Sequence, residues 1–490
     1  MTARRFVPVL IGAVVVLTQP AGAQSPSPTW PASRAPQPLP ARPVSFPPYQ
    51  LTTLDNGLQV LLISQHEQPS VSFRLIVKAG AAQDPSAKPG VANLLASLLD
   101  QGTATKPSAE IADTVESAGA FLSVGTGQEL TYVNVGVLRD RFDQLLNLAS
   151  EIVQRPAFDP QEIGRQLENA VSNMQVRFDD PEYIAGAVFT RVVYGAHPYG
   201  RPSDGTPDSL VRITREDLVA FHHAWFAPNN TLLAIVGDVT PEEALAAARR
   251  AFGSWAKRDV PVAETAAPPP PSRRVVVIDK PGAVQTEIRV GQVTLARTNP
   301  DYLALDLAMR VLGGEGANRL FGVLRTDKAL TYGASAELRT FKQAGAFVAE
   351  TNTRSSETGQ TLRLVVEEIG RLARERVSPA ELHGVQDYVS GSFPLSIETP
   401  SAIAQQVLNL LFYGLDLKDL ETRRDQVNNM TTSDLMRVAG EYLHPDRLTI
   451  VLVGDASQFI DQLKPMGFPE YERIPISQLD LVSPGLKKKG

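Results

Sequence analysis

The chain has 490 residues, 43% of them hydrophobic, more than one ordinary core can accommodate, so two or more globular domains are expected. A formal charge of −6 excludes the basic surplus of a nucleic-acid binder. With no cysteine, disulfides, cysteine-linked lipid anchors and thiolate metal sites are excluded as well.

The first 23 residues carry Arg4 and Arg5, an apolar run from Phe6 to Leu17, and Ala21-Gly22-Ala23, the pattern of a secretory signal peptide cleaved after Ala23. Export is therefore expected, to the periplasm in a Gram-negative cell or beyond it. No stretch is long and apolar enough to predict a transmembrane span. Residues 24–48 are rich in Pro, Ser and Ala and read as an extended leader.

A first domain is expected over 49–260. It opens with a hairpin turning at Asp55-Asn56-Gly57, then a strand with Val71, Phe73, Leu75 and Val77 alternating. The stretch "PGVANLLASLLDQGT" predicts an apolar helix entered through Pro-Gly and closed by Gly102. Next come a helix "SAEIADTVESAG" with Ser108 as N-cap, a strand pair whose Val133, Val135 and Val137 share a face, and long helices from about Arg139 to Val176. Strands flanked by runs of helices indicate an α+β domain with an antiparallel or mixed sheet covered on one side.

The segment from Ile213 to Val239 then repeats, without a gap, as Met430 to Ala456: Asp217 falls on Asp434, Pro228 on Pro445, Gly237 on Gly454. Each copy reads as helix, proline turn and β-rich run ("TLLAIVGD", "LTIVLVGD"), so the protein is a tandem duplication of large domains. Between them, 261–274 contains four consecutive prolines and predicts a semi-rigid linker, and the second domain is expected over 275–480.

Several ordered segments, "LDNGLQVLL", "PGVANLLASLLDQGT", "DDPEYIAGAVFTRVVYGAHPYGRP", the paired "IVGD" and "LVGD" strands and "VLGGEGANRLFGVLRTDKALTY", together resemble the insulinase/pitrilysin family of zinc metallopeptidases, including its two-subunit processing peptidases. The resemblance implies an α+β fold of two homologous halves, each made of two related α+β units with antiparallel or mixed sheets covered by helices, in a clam-like shell enclosing a peptide-sized cavity. It also implies zinc held by two histidines of an inverted H-x-x-E-H motif and a downstream glutamate, the chemistry of a water-activating zinc site.

In this chain the first His position is Asn93, the general-base position is Ala96 and the second His position is Ser97. The third-ligand position falls on Asn173, with Glu168 nearby as a shifted alternative. Amide and hydroxyl oxygens are poor zinc ligands, so no metal is expected on this chain and the helix face is read as ordinary core. The histidines do not substitute: His222-His223 are expected on a solvated helix face, His197 in a turn or packing role, and His66, His383 and His444 stand isolated.

The second half keeps what the resemblance assigns to it: an Arg and, seven residues later, a Tyr that reach a zinc site in the other half or in a partner subunit. These are Arg325 and Tyr332. A guanidinium and a phenol are fixed donors that can be aimed at developing negative charge. The bland alternative is an Arg325 ion pair and a Tyr332 packed in a strand. Gly313, Gly314 and Gly316 resemble a substrate-touching glycine loop, or end the preceding helix through left-handed backbone angles.

The reading that follows is a catalytically incomplete subunit. It would lend Arg325, Tyr332 and part of a substrate chamber to a homologous, zinc-bearing partner that hydrolyses peptides. The alternative is a non-enzymatic peptide-binding or scaffold protein on the same fold. An independently active zinc peptidase would require a different alignment of the first helix.

Overall fold

The computed structural model describes residues 46–262, 267–314, 316 and 318–488. The expected signal segment, nearly all of the leader and the linker's 263–266 lie outside these residues.

The N-terminal half comprises β1 (Gln50–Thr53), β2 (Gln59–Ser64), β3 (Ser70–Val77), α1 (Val91–Ala96), α2 (Ser108–Ser117), β4 (Phe121–Thr126), β5 (Thr131–Leu138), α3 (Phe142–Gln154), α4 (Pro160–Asp179), α5 (Pro181–Tyr194), α6 (Pro207–Leu210), α7 (Arg215–Trp225), β6 (Thr231–Gly237) and α8 (Pro241–Phe252). The C-terminal half comprises β7 (Arg274–Asp279), β8 (Gln285–Thr294), α9 (Tyr302–Gly313), β9 (Ala334–Thr340), β10 (Gly345–Arg354), α10 (Thr358–Arg374), α11 (Pro379–Ser392), α12 (Pro400–Tyr413), α13 (Lys418–Asn429), α14 (Thr432–Tyr442), β11 (Thr449–Gly454), α15 (Ala456–Leu463) and β12 (Glu472–Pro475).

Each half is built on one mixed six-stranded sheet, ordered β1-β2-β6-β3-β5-β4 and β12-β7-β11-β8-β10-β9. In both, the strand of the repeated segment lies parallel to one neighbour and antiparallel to the other: β6 between β2 and β3, β11 between β7 and β8. The halves are therefore related α+β units, as the repeat predicts. Each half carries one of the two mixed sheets, packed between helices on both faces.

That double cover corrects the expectation of a one-sided sheet. Every residue of β6 and of β11 is buried, as a continuous apolar run dictates when both faces meet protein. Side chains alternate across the pleat, so Val60 and Leu62 face the half's own helices α1, α3, α7 and α8, whereas Leu61, Ile63, Leu232, Ala234 and Val236 face the other way. What covers this second face is α12, contributed by the C-terminal half through Ile403, Ala404, Val407 and Leu408.

The converse holds for the second sheet. Its outer face, with Val276, Ile278, Val348, Val451 and Val453, is covered by Ile184, Ala185, Val188 and Phe189 of α5. The two helices correspond residue by residue: Pro181 to Pro400, Ile184-Ala185 to Ile403-Ala404, Val188 to Val407, Tyr194-Gly195 to Tyr413-Gly414. Each half thus lends the same helix to its sibling's sheet.

Local details follow sequence chemistry. Thr214 with Asp217, and Thr431 with Asp434, form matching capping boxes at the start of α7 and α14. Gly57 carries a φ of +88° at the first hairpin turn, and a side chain there would meet Asn229. Ser108 is the first residue of α2 and not its N-cap: its hydroxyl donates to Glu162 of α4 instead. The second domain extends past residue 480, since Leu481 and Leu486 are buried beside α5.

Candidate functional site: an inter-half cleft

α1 starts at Gly90, whose φ of +102° turns the chain into the helix, and its first amides are held by Asp84, which accepts from Gly90 N at 2.7 Å and Ala92 N at 2.8 Å. Burial pushes the Asp84 carboxyl up to about 7, against those amides and the nearby Arg201. The helix is short, so Asn93 lies inside it while Ser97 stands at its C-terminal cap.

Of the four positions that correspond to a zinc site, only Ala96 has become core, at 2% exposure. Asn93 is half-buried and its Nδ2 donates to Asp204 Oδ1 at 3.0 Å, while the other oxygen of Asp204 pairs with Arg177 of α4. The Arg177 guanidinium also lies over the Tyr183 ring, 4.4 Å from its centroid. The Ser97 hydroxyl donates to Leu94 O at 2.8 Å, and Asn173 and Glu168 are exposed on α4.

This donor set does not fit zinc. An amide that donates to a carboxylate already paired with a guanidinium, a hydroxyl turned to its own helix and an alanine offer neither imidazole nor a free carboxylate. Among the described residues no group of three or more His, Asp or Glu is placed to hold a metal ion.

Arg325 sits in a π-helical turn, Phe321–Asp327, whose start is fixed by Asn318: its Oδ1 accepts from Phe321 N at 2.7 Å and its Nδ2 donates to Gly314 O at 2.7 Å. Leu324 and Leu330 anchor the segment in the core, and between them Ala329 takes a φ of +52°. Arg325 and Tyr332 are thereby left outside: Tyr332 is 80% exposed, and the Arg325 guanidinium lies 4.9 Å from its ring centroid. Tyr332 precedes β9, and Arg325 has no carboxylate partner among the described residues. Among the described residues, then, Arg325 makes no ion pair and Tyr332 is not packed in a strand.

The glycines divide by role. A side chain at Gly313 would strike the Ala336 backbone, 2.1 Å away, so this glycine permits α9 to press on β9. Gly314, at φ −70°, is not left-handed; of the three only Gly316 is, at +67°. Gly314 and Gly316 line a cavity of about 890 Å³ together with Tyr332.

A second cavity of about 560 Å³ is lined by Arg177, Tyr183 and Asp204, and the two share Glu182, Arg289 and Glu350 as walls. Arg289 is the buried centre: its Nη1 donates to Glu287 at 3.2 Å and to Ile288 O at 3.1 Å, with Glu350 at 3.8 Å and Glu182 of the other half at 4.0 Å. Burial raises the Glu287 carboxyl pKa, and Arg289 opposes it. Tyr332 thus borders one cavity and Asp204, the partner of Asn93, borders the adjoining one.

Two histidines show what surface-and-core reasoning can and cannot see. His197 packs as expected, 1% exposed, its Nδ1 accepting from Tyr199 N and its Nε2 meeting Gln343 Oε1 at 3.0 Å. His222, expected on a solvated face, instead stacks on Phe226 with centroids 4.7 Å apart and bonds Val153 O at 2.8 Å; His223 beside it is exposed. The signal was available in the aromatic spacing of Phe221, His222, Trp225 and Phe226 around one helix end.

Comparison with known proteins places these features in context. The sequence matches the family model for insulinase (peptidase family M16) over residues 59–203 and that for the peptidase M16 inactive domain over residues 212–389. It is 26% identical over 404 residues to an uncharacterized zinc protease of Mycobacterium leprae, spanning 80% of this chain and 89% of that one. It is 22% identical over 389 residues to the uncharacterized zinc protease YmxG of Bacillus subtilis, spanning 79% and 93%. A crystal structure described as a peptidase M16 inactive domain, from Pseudomonas fluorescens, superimposes with a TM-score of 0.79 at 28% identity, covering 87% of this chain and all (100%) of the other. A protease from Helicobacter pylori shares the fold, with a TM-score of 0.78 at 22% identity over 83% of this chain and 100% of that one.

Proposed function

Because the chain belongs to the insulinase (peptidase M16) family, we propose that it acts as the non-zinc subunit of a two-subunit peptidase, exported by its N-terminal signal. The observation that supports this reading is an asymmetry between the two elements. Asn93 is tied into an amide-carboxylate-guanidinium bridge and Ala96 is buried, whereas Arg325 and Tyr332 stand exposed, with no carboxylate partner for Arg325 among the described residues.

In this role the partner holds the zinc and supplies the hydrolytic water. Arg325 and Tyr332 donate hydrogen bonds to the scissile carbonyl of a bound peptide and strengthen as its oxygen gains charge. Their proximity, with the guanidinium 4.9 Å from the ring centroid, sets both donors on one side of the cavity mouth. Gly314 and Gly316 line the cavity next to Tyr332, where a peptide would pass.

The test is affinity purification of the mature chain from its native cell envelope, followed by identification of bound proteins and metal analysis. A stoichiometric homologue bearing H-x-x-E-H is expected, and in the reconstituted pair Arg325→Ala should lower kcat about 10²–10³-fold without weakening assembly. Equal activity with and without the substitution removes the claim. A zinc-free chain recovered alone that binds unfolded peptide supports instead the peptide-binding scaffold, in which the same cavities hold peptide without cutting it.

A further inference from the structure

The correspondence of α5 with α12 has a counterpart in the helix before each. Pro160 of α4 matches Pro379 of α11, which sets Asn173 against Ser392 and Arg177 against Ser396. Likewise Thr190 and Tyr194 of α5 match Asn409 and Tyr413 of α12. Arg177, Thr190 and Tyr194 line the 560 Å³ cavity beside the altered zinc position. Their counterparts Ser396, Asn409 and Tyr413, with Ser392, line a separate cavity of about 690 Å³ in the C-terminal half, closed on its other side by α9 and α13. The two cavities therefore share corresponding helical walls, while the far wall of the first is β8–β10 and that of the second is α9 and α13.

Its charge differs: the N-terminal cavity sets four arginines against four carboxylates, whereas this one is mainly cationic. Three guanidiniums line it, those of Arg297, Arg310 and Arg423, against one carboxylate, Asp419. Arg310 is paired with Asp306 at 3.0 Å, but among the described residues neither Arg297 nor Arg423 has a carboxylate partner. The Arg297 guanidinium carbon lies over Tyr302, 3.9 Å from the ring centroid, with Tyr413 beyond at 5.8 Å. A guanidinium held over a ring still carries N–H groups able to donate to an anion. Burial and then Asp306 raise the Tyr302 phenol pKa, and Arg297, Arg423 and Arg310 oppose them, which places all three cations around one ring. Neutral donors complete the wall: Gln406 and Asn409 project from the face of α12 opposite the residues that cover the first sheet.

We propose that this cavity is a binding site for a small molecule bearing a phosphate monoester. Two uncompensated guanidiniums match the roughly −1.5 to −2 charge of such a group at neutral pH. The amide and hydroxyl donors match its remaining oxygens. The volume leaves space for an organic portion beside Tyr413 and Phe393, within the range usual for small-molecule sites. Because α12 forms one wall and also covers the sheet of the N-terminal half, an occupant would tie the exchanged helix to its own half.

The test is calorimetric titration of the full mature chain with phenyl phosphate and with inorganic phosphate, and co-sedimentation with vesicles containing phosphatidic acid. Saturable binding of phenyl phosphate, weakened at least tenfold by Arg423→Gln and unaffected by Arg363→Gln on the surface of α10, is expected. Near-UV circular dichroism verifies that both variants are folded. Binding to vesicles that is lost in Arg423→Gln, with no binding of the soluble probes, assigns the same group to a lipid headgroup. No binding of any probe at millimolar concentration, or binding that Arg423→Gln leaves unchanged, overturns the proposal.

Discussion

The two halves share the order of five of their six strands and exchange the same helix, yet the pockets beside the exchanged helices differ in charge. Beside α1, Arg177 is neutralised by Asp204, and Asn93 completes the bridge. Beside α9, Arg297 and Arg423 stand without such partners, and Ser392 and Ser396 occupy the places of Asn173 and Arg177. A duplicated backbone fixes where a pocket lies; a handful of side chains then decides which charge it accepts, which is why fold and site must be argued separately.

The comparison can be broken most severely at the linker. Each outer sheet face is covered by four large or small apolar residues from the sibling half, worth roughly 4–10 kcal/mol together. That is of the order of a whole domain's stability. Residues 46–262 and 267–488 produced separately are therefore expected to lack cooperative unfolding, and to regain it on co-expression; a half that folds alone would refute the interdependence.

Single truncations should act next most strongly and alike in the two halves. Phe189→Ala and Leu408→Ala are each expected to cost about 2–5 kcal/mol in denaturant unfolding. Both should leave one transition, since the sheets are mutually covered. A variant that melts one half while sparing the other would show that the exchange is less symmetric than the packing.

A pH experiment separates the halves. Burial lowers the His222 pKa to about 4, and at the matching place in α14 stands the buried Ala439. A histidine whose folded pKa is depressed stabilises the native state fully above its unfolded value near 6.5 and loses that contribution as pH falls toward 4. The loss amounts to at most roughly 3 kcal/mol. His222→Ala, imitating the C-terminal half, is expected to flatten this acid limb while lowering stability at neutral pH.

The smallest effect is expected at the bridge itself. Asp204→Ala frees Arg177 and Asn93 at the cost of roughly 1 kcal/mol, because the Arg177 side chain is 49% exposed and solvent screens it. Equilibrium dialysis with zinc should give the same low uptake before and after, since no imidazole is gained.

The duplication was legible because its marks are local: capping boxes at Thr214 and Thr431, proline turns, and apolar strands that end in Gly-Asp. The exchanged helices were equally written in the sequence, as Pro181-to-Tyr194 repeated in Pro400-to-Tyr413, but their amphipathic pattern does not say whose sheet they cover. Ser108 satisfied the local rules for an N-cap, but the helix begins one residue earlier, after Pro107, and the Ser108 hydroxyl donates to Glu162 of a neighbouring helix that the local pattern does not reveal.

The sequence by itself determined the α+β class and the two halves, and it supplied the expectation of an altered zinc-site helix at Asn93, Ala96 and Ser97 beside a retained Arg325 and Tyr332, since each depends on residue types and short-range spacing. Only the tertiary structure decided that each sheet is covered on both faces, that Asn93 is tied to Arg177 through Asp204, that Arg325 stacks on Tyr332 in the open, and that unpaired guanidiniums converge beside α12. These are meetings of residues far apart in the chain, and the apolar periodicity that folds each element carries no information about its distant partner.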